Sequence, residues 1–156
     1  MDFRICGLAY KPFVALFEMS ERELHEHGSV RRVAPPDSIY ACRVSLRHAA
    51  PGETVILTNY VHLADPKSPY RSLGAIFVRR DPGPTFDRVN EVPPELQARP
   101  LSLRAYDRHN MIIAAEVMTG DALPEIVARL FERDDIICLH VHSATRGCYL
   151  CRVERA

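Results

Sequence analysis

The chain has 156 residues, its 20 Lys and Arg are balanced by 20 Asp and Glu, and 47% of its residues are hydrophobic. That length and apolar content fit one domain over residues 1–156, able to bury about two-thirds of its unfolded surface without disulfide or metal staples, and they argue against disorder. A net charge of zero argues against a protein whose affinity comes mainly from neutralising nucleic-acid phosphates or anionic lipid.

The opening segment MDFRICGLAYKPFVALF lacks a basic n-region, and Arg4, Lys11 and Pro12 interrupt any apolar stretch, so it does not read as a signal peptide. No run reaches the roughly 18 apolar residues of a membrane helix. Five cysteines without framework spacing argue against an exported disulfide scaffold. The expectation is a cytoplasmic protein with reduced thiols and with neither a nucleic acid nor a membrane as partner.

Phe3 to Cys6 is predicted as a short strand leading into a helical region. There Ser20 and Glu23 have capping-box spacing, and Gly28 can close the helix as its C′ residue. His25 and His27 fall in the last turn, at the negative end of the dipole, and read as surface histidines. Val30 to Val33 and Cys42 to Leu46 are predicted strands, the second placing Cys42, Val44 and Leu46 on one core face. Pro51-Gly52 makes a turn before a strand over Thr54 to Tyr60, whose Val55-Ile56-Leu57 centre suits a buried position. Thr58, Tyr60 and His62 share one face of it, running into the long connection from Leu63 to Leu73.

Ala75 to Arg79 is a further strand, and Leu101 to Asp107 alternates cleanly, with Ser102, Arg104 and Tyr106 on one side. The turn Asp107 to Asn110 joins it to Met111 through Met118 as a hairpin. Asp121 is a predicted N-cap, Pro124 suits the first turn, and Leu123, Ile126, Val127, Leu130 and Phe131 fall on one helical face. Ile136 to His142 then returns as a strand. Strands outnumber helices, so the predicted class is α+β, with a mixed, largely antiparallel sheet, two main helices and a C-terminal β-hairpin.

The last segment, IICLHVHSATRGCYLCRVE, carries the chemistry. Alternation puts Cys138, His140 and His142 on one face and Ile137, Leu139 and Val141 on the other. A turn over Ser143 to Gly147, closed symmetrically, sets His142 opposite Cys148, Val141 opposite Tyr149 and Leu139 opposite Cys151. Tyr149 and Cys151 then join the apolar face. In this register an imidazole and a thiol are cross-strand neighbours, the pairing that nucleophilic cysteine catalysis uses: Cys148 as nucleophile, His142 as base. His62, Tyr70, Arg71, Arg104, His140 and Arg146 are candidate ligand-binding residues around them, the arginines suiting a small anionic molecule. The bland alternative is that Cys148 is a small hydrophobe under a loop and the histidines bond backbone.

A metal reading competes. His140 and His142 can reach one ion from the same strand face, with Cys148 as third ligand and His62 or Cys42 as a fourth. A non-enzymatic binding or scaffold module is the third possibility. Cys148 and Cys151 spell C-x-x-C, but residues three apart on a strand point to opposite faces, so they do not form a redox pair. There is no P-loop, dinucleotide fingerprint, G-x-S-x-G elbow or H-E-x-x-H. These residues specify no cofactor, reaction type or oligomeric state.

Several stretches together resemble the bacterial domain-of-unknown-function family numbered 1203. They are Cys42-Arg43-Val44-Ser45-Leu46, Asn59-Tyr60-Val61-His62, Ser68-Pro69-Tyr70-Arg71 with Gly74 and Ile76-Phe77-Val78, Arg104-Ala105-Tyr106-Asp107, and His140-Val141-His142 with Gly147-Cys148-Tyr149. The resemblance implies a bacterial, single-domain, intracellular protein and brings no activity or catalytic residue with it. The chain departs from the family pattern at Ala75, where Pro is expected, and at Cys151, where a small non-Cys residue is usual.

Overall fold

Alternating apolar residues build two antiparallel sheets, seen in a computed structural model that describes residues 1–156. The strands are β1 (Phe3–Cys6), β2 (Val30–Val33), β3 (Thr54–Leu63), β4 (Ser72–Arg79), β5 (Asp87–Val89), β6 (Pro100–Tyr106), β7 (Ile112–Thr119), β8 (Cys138–Ser143) and β9 (Tyr149–Arg155). The larger sheet has the order β5-β1-β9-β8-β6-β7, and the smaller is β2-β3-β4. Neighbouring strands in both sheets run antiparallel; a lone Cys42–Phe77 bridge is parallel. The α+β class expected from the sequence is the class observed, with two sheets in place of one.

Three α-helices accompany them: α1 (Glu21–Glu26), α2 (Pro94–Gln97) and α3 (Leu123–Leu130). The capping box of α1 forms as its spacing predicts: Ser20 Oγ accepts from the Glu23 amide at 3.3 Å, and Glu23 Oε2 accepts from the Ser20 amide at 2.7 Å. Helix α3 starts later than the Asp121 cap predicts. Residues Gly120–Ala122 form a 3-10 turn, and the Asp121 carboxylate accepts from the Thr119 hydroxyl and, at 3.1 Å, from the Ala122 amide. Gly120 sits so close to α2 that an added Cβ would lie 1.7 Å from the Leu96 carbonyl oxygen, so the chain must pass there before it can turn into the helix.

The apolar stripe of α3, Leu123, Val127 and Leu130, packs on one face of the larger sheet against Leu101, Leu103, Leu139, Val141 and Val153. Burying each such side chain contributes about 1.5–3 kcal/mol, and this cluster is the main core. A second cluster joins Phe13 and Phe17 of the 3-10 segment Lys11–Phe17, Leu24 of α1, and Ile56, Ile76 and Val78 of the smaller sheet. Between Leu63 and Ser72 the connection is pinned by Ser68, whose hydroxyl donates to the Asn110 carbonyl at 2.7 Å.

Cys42 to Leu46, expected as a strand, is instead a tight loop. The Leu46 amide donates to the Cys42 carbonyl at 3.0 Å, and Leu46 itself has φ 54°. Its inward-turned Arg43 explains the departure. The guanidinium donates to the Ala41 carbonyl and, from Nε at 2.6 Å, to the Tyr149 carbonyl, which fixes the loop on β9. Cys42 and Val44 are nonetheless core residues, whereas Cys6, read as core, is half-buried with its thiol 3.9 Å from Asp87 Oδ1. No helix is long and apolar enough to cross a membrane.

Candidate metal centre

One face of the larger sheet carries the core; the other carries histidines. Residues paired across neighbouring strands point to the same face, so Arg104 joins His140 and Ser102 joins His142 there. Cys138, His140 and His142 alternate onto this face as the sequence predicts. His140 is 2% and His142 0% exposed. From the smaller sheet, the end of β3 brings a third imidazole, the half-buried His62, onto them.

The three rings converge. Their centroids are 5.0 Å apart for His62 and His142, 5.8 Å for His62 and His140, and 6.2 Å for His140 and His142. One nitrogen from each lies within 4.8 Å of the others. His142 Nδ1 is 2.9 Å from the Gly147 carbonyl oxygen, which can only accept, so Nδ1 carries the proton and Nε2 carries the lone pair. That Nε2, together with Nδ1 of His62 and Nδ1 of His140, is buried without a hydrogen-bond partner. Buried polar atoms left unpaired cost about 1–3 kcal/mol each, and each ring of this cluster holds one, so the cluster calls for a shared partner.

Burial is the main reason the imidazoles resist protonation. It drives His140 down to about 3, helped by the neighbouring His142 and His62 and by the charges of Arg152 and Arg104. It drives His142 to about 4, partly offset by the bond to Gly147 and reinforced by Arg104. His62 is lowered by burial and again by Arg104. All three are therefore neutral imidazoles near pH 7, with lone pairs available. Tyr149 walls the cluster, stacked on His62 and edge-on to His140 at 5.2 Å and His142 at 5.7 Å. Tyr106 tilts against His140 at 4.7 Å.

The hairpin register differs from the symmetric one. His142 pairs with Tyr149, Val141 with Cys151 and Leu139 with Val153, with an irregularity between Val141 and His142. Leu150 is the extra residue of this bulge. The Ser143 amide donates to the Cys148 carbonyl at 2.9 Å, and Gly147 takes φ 76° to close the turn. Cys148 is thus opposite Ser143 and not His142, no hydrogen bond joins its thiol to an imidazole, and it borders a different cavity. Tyr149, assigned by the symmetric register to the core face, turns onto the histidine face.

Of the remaining sequence candidates, Arg104 lies beside His140 on β6. Tyr70 and Arg71 are exposed at the end of the 64–71 loop, and Arg146 is exposed in the hairpin turn beside Cys148. Cys42, considered as a fourth ligand, is buried in the second core cluster, where its sulfur accepts from the Arg79 amide at 3.4 Å.

Among known proteins, the family model DUF1203, described as a protein of unknown function, matches residues 39–155, a span that includes all three histidines. No curated protein and no solved structure matches the chain.

Proposed function

We propose, for a chain that belongs to the DUF1203 family of proteins of unknown function, a mononuclear centre for a divalent first-row transition metal held by His62, His140 and His142. The observation that carries this reading is the convergence of three imidazoles, with one nitrogen of each within 4.8 Å of the others, on rings that each hold a buried nitrogen without a hydrogen-bond partner. Three neutral nitrogens with no carboxylate or thiolate suit zinc, copper, nickel or iron and not magnesium or calcium. Two nitrogens bound tetrahedrally at about 2.0–2.1 Å stand roughly 3.3 Å apart, so small rotations of the rings close the cluster on an ion.

The Gly147 carbonyl fixes the His142 tautomer, the usual support for a metal-bound histidine. Tyr149, stacked on His62 and edge-on to the other two, and Tyr106, tilted against His140, hold the rings in place. Three protein ligands leave one tetrahedral position open, as in catalytic zinc sites. Arg104, which forms no ion pair with a carboxylate, raises the local positive potential. It disfavours a bare dication and favours one that carries hydroxide or a small anion in the open position.

Cobalt(II) titration tests the ligand set. The reading predicts visible d–d bands of a four- or five-coordinate site that saturate at one equivalent, with no near-ultraviolet thiolate-to-cobalt charge-transfer band. A strong charge-transfer band would replace the three-histidine set by one that includes cysteine, and no spectrum at all would overturn the centre.

A further inference from the structure

A second site lies on the other side of the hairpin, away from the histidines. A cavity of about 280 Å³ opens between the hairpin turn, the loop around Arg43 and the outer face of β3 and β4. Arg43, Arg99 and Arg146 border it, facing an apolar wall that includes Tyr40, Leu57 and Phe77. No Asp or Glu borders it, and none of the three arginines is in an ion pair.

The state of Arg43 is the most telling. It is 5% exposed, and its Nε and Nη1 are used on the carbonyls of Tyr149 and Ala41. Neither is an anion. Its Nη2 makes no hydrogen bond within the protein, and the cavity is where that donor can be satisfied. Burial lowers this guanidinium to about 10, still well above neutral pH, so it stays charged. Arg99, half-buried, borders the same cavity, and its guanidinium is in no ion pair. Guanidinium groups that border one cavity without a carboxylate, one of them buried with a donor to spare, suit an oxyanion.

The opposite wall sets the rest of the ligand. Tyr40 and Phe77 stack with centroids 4.2 Å apart and planes within 15°. Both rings border the same space. The volume is near the lower end for small-molecule sites, which restricts the occupant to about the size of one ring plus its head group.

We propose that this cavity binds a small organic oxyanion, a carboxylate or phosphate ester, with its head on Arg43, Arg99 and Arg146 and its apolar body against Tyr40 and Phe77. Ser143 and Thr145 hydroxyls stand at the same rim, and the Cys148 thiol borders it. The inference is independent of the metal reading, since no ligand histidine lines this cavity.

Amide NMR titration of the full chain with benzoate, phenyl phosphate, neutral benzamide and cationic benzamidine tests it. The expected result is saturable shifts centred on residues 143–148 with at least one of the two anions, and none with benzamide or benzamidine. Whichever anion binds identifies the head group. Arg99→Gln or Arg146→Gln is expected to weaken binding by about 10-fold or more, the scale of a charge-assisted hydrogen bond. His62→Ala is expected to leave it unchanged. Absence of saturable shifts with both anions, equal shifts with benzamide, or unaltered affinity in Arg99→Gln would overturn the proposal. Loss of binding in His62→Ala would overturn it also, by moving the anion to the histidine cluster.

Discussion

The imidazole of His62 lies flat on the ring of Tyr149, with centroids 5.1 Å apart and planes within 5° of parallel. His62 belongs to the smaller sheet and Tyr149 to the larger, so this stack spans the seam between the two sheets and sets where the third histidine stands. The two residues do different work: one supplies a lone pair, the other orients it.

That division gives the first prediction. Tyr149→Phe keeps the stack and is expected to retain zinc affinity within a few-fold. Tyr149→Leu removes the flat surface and is expected to weaken zinc about 10- to 100-fold, the usual range for groups that orient a metal ligand. Competition with a chelating indicator measures both. Equal affinity in the two variants would show that the stack does not position His62.

Metal affinity and metal-free stability should move in opposite directions at His140. Its Nδ1 is buried without a partner and its ring is nearly inaccessible. His140→Phe removes that unpaired group while roughly keeping the ring volume, so the metal-free variant is expected to be more stable than the parent by about 1–2 kcal/mol. Urea denaturation in the presence of a chelator reads this. Zinc binding is expected to be lost in the same variant.

Acid should unfold the metal-free protein readily. A histidine at 6.5 when unfolded and at about 3 in the fold binds its proton more tightly in the unfolded chain. Stability is therefore full above pH 6.5 and falls as the pH drops toward the folded value. His140 contributes over 6.5 to about 3, and His142 over 6.5 to about 4. Each removes up to about 1.4 kcal/mol per pH unit within its window. Denaturation midpoints in chelator from pH 8 to pH 4 should be level above 6.5 and decline steeply below it. A flat profile would mean that the imidazoles are already hydrated or protonated in the fold.

Much of this arrangement is legible in the sequence, and the reasons are local. Period-two alternation fixes His140 and His142 on one face, and the same rule sets Thr58, Tyr60 and His62 on theirs. Capping-box spacing at Ser20 and Glu23 specifies the start of α1. Three things escape local rules. Leu150 bulges out of the ladder, a choice made by packing Leu150 into the main core, and it exchanges Cys148 for Tyr149 as the neighbour of His142. The approach of His62 depends on how one sheet lies across another, which no spacing within β3 encodes. Arg43 escaped too, because inside a run that looks like a strand its inward turn has no periodic signature.

Cysteine should be dispensable for the metal. Cys148 stands opposite Ser143 and borders the arginine-lined cavity. Cys148→Ser is therefore expected to keep the zinc affinity of the parent within about twofold, whereas removing a ligand imidazole costs more than the roughly 100-fold seen for supporting groups. A large loss in Cys148→Ser would return the thiol to the ligand set.

The most direct measurement is zinc stoichiometry after chelator treatment, reloading and gel filtration, compared between the parent chain and His62→Ala. The account predicts one zinc per chain in the parent and almost none in the variant, with both proteins folded by circular dichroism. Sub-stoichiometric zinc, copper, nickel and iron in the parent, or full zinc retention in folded His62→Ala, would contradict it.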